Sequence, residues 1–307
     1  KIQHTIVVDQ HGKGEFRTVQ AAFDSIKENN DRWVKVHINA GTYTIDYRST
    51  RESSNFHLQA MHLFRRFRQR GHDHYINDDN SQSDNTGATC VSFPSNVIVI
   101  GITFENSFNL VGSQSIAPAP AAAIYGDKSV FFKCGFVSYQ DTLFDSKGRH
   151  YFKDCYIGGE VDFIYGSGQS YYEACTINAT QERSFPGFVT AQFRDSEIDT
   201  SGFVFRAGCV MGIGRVNLGR AWGPYSRVIF HGTYLSPIVS PEGWNAWDYT
   251  GQEWGSNLTY AEVDCTGPGA NTAKRVKWEK NLTGSQLNEF SLSSFINQDG
   301  WLSYLPI

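Results

Sequence analysis

The chain has 307 residues, with 27 basic side chains against 31 acidic ones, a formal charge of -4 and 40% hydrophobic residues. That length can bury one large core, and the slight acidic excess argues against a dedicated nucleic-acid binder, which carries a basic excess. No apolar run reaches the roughly 18 residues of a membrane-spanning helix, and no C-x-x-C pair offers a zinc ribbon or thioredoxin-type site.

The opening, Lys1 to Phe16, lacks a charged segment followed by an apolar one and does not read as a signal peptide. Three N-x-[ST] sequons, at Asn178, Asn257 and Asn281, favour a secreted protein whose leader has been removed. From Phe16 to Ile26 apolar residues fall at 16, 19, 22, 23 and 26, which predicts a helix. Val34 to Ile38 alternates with period two and reads as a strand. The stretch 46–82, with six Arg and four His, alternates only weakly and reads as a long solvated insertion outside the pattern. Val97 to Phe104 is a buried-strand run, and Gly-, Asn- and Ser-rich turns punctuate the rest.

The middle of the chain repeats. Val130-Phe-Phe-Lys-Cys134-Gly-Phe136, Tyr151-Phe-Lys-Asp-Cys155-Tyr-Ile157 and Tyr171-Tyr-Glu-Ala-Cys175-Thr-Ile177 share an aromatic pair, a Cys, and an apolar residue two positions on. A period near 20 marks a solenoid. Each unit is too short for a βαβ crossover and too β-branched and aromatic for paired helices. The fold class is therefore all-β, one coil of a parallel β-helix per repeat, with equivalent residues stacked about 4.8 Å apart. The helix near Phe16–Ile26 is expected to cap the first coil, and Ser285 to Leu302 to pack along the outside. Without a visible linker, 1–307 reads as one domain. The six cysteines, at 90, 134, 155, 175, 209 and 265, suit a secreted protein by their even number. Their pairing is open, and buried free thiols are the alternative.

Chemistry emerges at Cys plus seven. Cys134 leads to Asp141 in YQDTLF, and Cys155 leads to Asp162 in VDFIYG. Stacked coils put these carboxylates one rung apart among apolar neighbours. Two like charges so placed do not both ionise easily, so one pKa rises, which suits a division into acid/base and nucleophile. The plainer alternative is a pair of turn aspartates that bond backbone amides.

The wider wording decides in favour of chemistry. YQDTLF at 139–144, GEVDFIYG at 159–166, LGRAW at 218–222 and TGPGANTAKRVKW at 266–278, in this order and spacing, resemble the plant pectin methylesterases, or pectinesterases. ITFENS at 102–107, VVDQHGKGEFRTVQAA at 7–22 and AGTY at 40–43 add to the likeness, which covers most of the chain outside 46–82. The resemblance implies a right-handed parallel β-helix that hydrolyses the methyl esters of galacturonate units in cell-wall homogalacturonan, without metal or cofactor. It implies that Asp162 is the nucleophile and that Asp141 protonates departing methanol and then activates water. Gln140 matches an oxyanion donor and Arg220 the guanidinium that holds the nucleophile. Trp222, Phe144 and Tyr165 match sugar-contacting aromatics, with core packing as the alternative. Pectin is the implied partner, with a proteinaceous pectinesterase inhibitor as a second. The resemblance also implies a monomer in the cell wall that touches neither nucleic acid nor membrane.

Three departures stand out. Where the family carries a second oxyanion Gln, 23 residues before the acid Asp, this chain has Pro118, which has no side-chain donor and no backbone N–H. The family's G-x-Y-x-E ends here in Ile45, and 46–82 is expected to lack the strand pair the family shows there. The inhibitor-like pro-region is not seen, so the chain reads as a mature or short form. A pectate lyase would need a calcium-binding carboxylate cluster, and a polygalacturonase clustered Asp residues with Gly-His-Gly and Arg-x-Lys, none of which is found. The remaining rival is a weak or inactive homologue that only binds pectin.

Overall fold

The computed structural model describes residues 2–27, 32–45, 54–65, 87–109, 116–180, 185–247 and 257–306, with backbone alone for 44–45 and 54–65. The chain winds as a right-handed parallel β-helix, the hand that sheet twist favours in parallel connections. Each central coil supplies three short strands. Leu143–Asp145, Arg149–Lys153 and Tyr156–Gly159 make one coil, and Ile164–Gly166, Gln169–Glu173 and Thr176–Ala179 the next. The first strands of successive coils form a seven-stranded parallel sheet running from Cys90–Ser92 to Trp244–Asn245. The second and third strands form two further parallel stacks, joined at the long strand Val97–Glu105.

The repeat explains the interior. The aromatic residue three positions before each repeat cysteine points inward, and the rings stack along the axis. Phe131, Phe152, Tyr172, Phe205 and Phe230 follow one another at centroid spacings of 5.0, 4.6, 4.6 and 4.4 Å. The preceding residues, Val130, Tyr151, Tyr171 and Val204, alternate to the outer face. The chain turns from second to third strand through a left-handed residue in each coil: Lys133, Asp154, Ala174 and Ala207, with φ of 53°, 53°, 53° and 55°. A non-glycine there costs on the order of 1–2 kcal/mol. Bonds between coils offset it, as from Lys133 N to Lys153 O at 2.9 Å and Asp154 N to Glu173 O at 3.0 Å.

The next residue in three of these corners is a cysteine. Cys134, Cys155 and Cys175 are buried, and their thiols donate to the carbonyls of Val99, Phe131 and Phe152 at 3.4, 3.3 and 3.5 Å. All six cysteines are free. The even count therefore does not reflect a disulfide framework: three of the cysteines form a buried ladder, and Cys90, Cys209 and Cys265 are half-buried thiols. Below the first sheet, Asp145 accepts from the Tyr172 hydroxyl at 2.5 Å and lies 2.5 Å from His150 Nδ1, whose Nε2 is 3.0 Å from the Gly126 carbonyl oxygen. Asp145 and His150 are fully buried, so this network satisfies polar groups that would otherwise be costly.

The expected helix forms over Val19–Asp24, N-capped by the Thr18 side chain, with Ala22 buried. Phe16, Val19, Phe23 and Ile26 lie partly buried against the core. The tail folds into Gly284–Glu289, Leu292–Phe295 and Trp301–Tyr304. Phe295, Ile296 and Trp301 cover the outer residues Ile98, Val130, Tyr171 and Val204, as the sequence reading expected. The reading of 46–82 requires correction in part. Ser54–Arg65 is a twelve-residue strand, antiparallel to Trp33–Ile38 and Gly41–Ile45 on one side and to Val97–Glu105 on the other. Its register shifts between Leu58 and His62, and that irregularity breaks the period-two pattern on which sequence recognition relies. Residues 46–53 and 66–82 lie outside the described residues.

Candidate active site

Asp141 and Asp162 each stand just before a first-sheet strand. Leu143 pairs with Ile164, two positions further on in each coil, so the aspartates occupy equivalent places on adjacent rungs. Both are left-handed, with φ of 60° and 48°, a conformation that Asp and Asn adopt more readily than most residues. Asp141 N bonds Val161 O at 3.0 Å, and Gln140 bridges to Val161. The backbone thus clamps the turn bearing Gln140 and Asp141 onto the turn bearing Asp162.

Arg220 reaches the pair from two coils further on, on the strand Val216–Ala221. Its Nε lies 2.7 Å from Asp162 Oδ1 and its Nη2 bonds Oδ2, a two-pronged ion pair. Phe188 and Trp247 flank the guanidinium, whose carbon lies 4.4 and 3.6 Å from their ring centroids. Gly219, immediately before Arg220, packs on Thr190 so closely that a Cβ would stand 2.1 Å from Thr190 Oγ1. The glycine of LGR-x-W therefore sets how near the Arg220 strand approaches its neighbour.

Burial pushes the Asp141 carboxyl up to about 7, the charge of Asp162 adds to this, and Arg220 opposes it. Burial also raises Asp162, which is 6% exposed, while the hydrogen-bonded Arg220 pulls it back. Among the described residues, a bonded cation thus distinguishes Asp162 from Asp141. Burial raises the Tyr165 hydroxyl well above its ordinary value, helped by the charges of Asp141 and Asp162.

All seven residues expected at the site fall around the same face. Phe144 stacks on Tyr165 at 4.7 Å, and Tyr165 lies 6.1 Å from Trp222, which is 42% exposed. Phe144 and Tyr165 are half-buried and belong to neither hydrophobic cluster. Pro118 is exposed beside the same turn, since its neighbour Ala119 donates to the Gln140 carbonyl at 3.1 Å. Sequence reasoning missed Trp247 and Phe188, the rings that hold Arg220. Their only signal was an aromatic residue near each end of the first-sheet strands.

Comparison with known proteins gives the family and the fold. A model of the family described as "Pectinesterase" matches residues 5–299. "Probable pectinesterase 55" from Arabidopsis thaliana is 42% identical over 310 residues, covering 98% of this chain and 91% of its own length. "Pectinesterase QRT1" from the same plant is 34% identical over 316 residues, covering 98% and 79%. Among solved structures, the pectin methylesterase from carrot superposes with a TM-score of 0.78 at 26% identity, over 98% of this chain and 96% of that one. A pectin methylesterase in complex with a hexasaccharide has the same fold, with a TM-score of 0.69 at 21% identity over 95% and 96% of the two chains.

Proposed function

The chain belongs to the pectinesterase family, carboxylic ester hydrolases that act on pectin methyl esters, and from that premise we propose how its own residues carry the reaction. The Asp162 carboxylate attacks the methyl-ester carbonyl carbon of a galacturonate unit. The tetrahedral oxyanion receives a hydrogen bond from the Gln140 amide. Its collapse breaks the bond to methoxide, which takes the Asp141 proton and leaves as methanol, and an acyl–Asp162 anhydride remains. Asp141, now ionised, takes a proton from water. The resulting hydroxide attacks the acyl carbon, freeing the galacturonate and Asp162. Arg220 keeps Asp162 charged and aimed. A carboxyl held near pH 7 suits a group that must give a proton in one step and take one in the next. The observation that carries this reading is the pair of aspartates on adjacent rungs, one bound by the Arg220 fork and the other not.

Trp222, Phe144 and Tyr165 form the sugar-contacting floor in this account. Cell-wall pectin is the substrate, and we place the protein outside the cell, as a monomer open to a proteinaceous inhibitor. Pro118 favours a second reading, a homologue that binds pectin but turns it over slowly or not at all. Methanol release from highly methylated pectin by the purified protein separates the two. On the esterase reading wild type turns over, and Pro118→Gln raises kcat by up to about 10²-fold at little change in KM, the value of one added oxyanion donor. Pectin binding without methanol release would establish the second reading.

A further inference from the structure

The aromatic floor does not stop at the catalytic rungs. Tyr125, just past the strand Ala122–Ile124, meets the Phe144 ring edge-on at 5.6 Å. Phe93, just past Cys90–Ser92 on the next coil towards the N-terminus, stacks on Tyr125 at 4.9 Å with 21° between the planes. Phe93 is 63% exposed, a large apolar ring left in water. Phe193, Trp222, Tyr165, Phe144, Tyr125 and Phe93 thus form an unbroken chain of ring contacts along the outer side of one sheet. We propose that Tyr125 and Phe93, two and three rungs from the nucleophile, form a remote subsite for the esterified polymer that selects long substrates over short ones. The proposal rests on the esterase reading for its substrate and deepens it.

The chemistry matches that ligand. A methyl-esterified uronic acid is uncharged, and its axial C–H bonds and ester methyl present apolar surface that aromatic rings bury well. The exposed ring of Phe93 offers such surface, and the phenol of Tyr125 can bond sugar hydroxyls. Three rungs span roughly 14 Å, about three units of an extended chain. A short oligomer centred on Asp162 therefore ends before Phe93, whereas a longer one reaches it. Continuity with the catalytic floor identifies the occupant as the same polymer strand and not a separate ligand.

The test compares Phe93→Ala and Tyr125→Ala with wild type on fully methylated oligogalacturonates of three and of eight or more units. Kinetics are read by methanol release and binding by calorimetry. The expected result is a KM and a dissociation constant for the long oligomers raised about five- to ten-fold in each variant, from the loss of one aromatic contact, with kcat and all trimer values unchanged. Equal effects on trimers and long oligomers, or no effect on either, would overturn the subsite. Because calorimetry needs no turnover, a wild type that releases no methanol would refute the esterase reading while leaving the subsite to be judged on binding. Phe93 is exposed and outside the core, so its truncation leaves the fold intact.

Discussion

At the residue scale the asymmetry between two carboxyls carries the account. Asp141 and Asp162 were legible in the sequence because the repeat converts a linear offset from two cysteines into a rung-to-rung contact. The Arg220 pairing was legible only through resemblance, since it joins residues 58 apart by a side chain that crosses two coils. Trp247 and Phe188 were not legible, because a ring that flanks a guanidinium has no spacing of its own. The pH profile tests the roles. In the proposed mechanism Asp141 is protonated when methanol leaves, so kcat/KM should fall above about pH 7, where its raised pKa lies. The acid limb reports ionisation of Asp162 as a property of the coupled pair. Arg220 lowers that pKa, so Arg220→Lys, which loses the fork, should move the acid limb to higher pH and lower the maximum. A profile for Arg220→Lys that overlays wild type would remove Arg220 from the mechanism.

At the element scale the inward aromatic ladder fixes the spacing of the coils. The aromatic pairs at 131–132, 151–152 and 171–172 pointed to stacked coils, and the strands read at 34–38 and 97–104 fall within Trp33–Ile38 and Val97–Glu105. Ser54–Arg65 was not read as a strand because its alternation is interrupted where the register shifts. Phe152 is fully buried between Phe131 and Tyr172, within one coil of the turns that bear Asp141 and Asp162. Phe152→Ala should cost about 3–5 kcal/mol, the range for emptying a packed aromatic site. Chemical denaturation would show it as a lower midpoint at unchanged slope. A loss below about 1 kcal/mol would mean that the ladder does not hold the coils in register.

At the scale of the whole molecule, the site exists only because coils stack. Gln140 and Asp141 come from one turn, Asp162 from the next, and Arg220 from a strand two coils beyond, so no single repeat contains the chemistry. A solenoid makes such a site from short-range rules: each coil contacts its neighbours, and the register carries side chains into line. The most direct test is methanol release from highly methylated pectin by Asp162→Asn, beside wild type and with thermal unfolding recorded for both. Asparagine keeps the shape and tolerates the left-handed backbone at φ 48°, so the substitution removes the proposed nucleophile with little disturbance of the turn. The account predicts a variant that unfolds cooperatively and whose rate falls at least about 10³-fold. A folded Asp162→Asn protein that keeps more than about a tenth of the wild-type rate would contradict it.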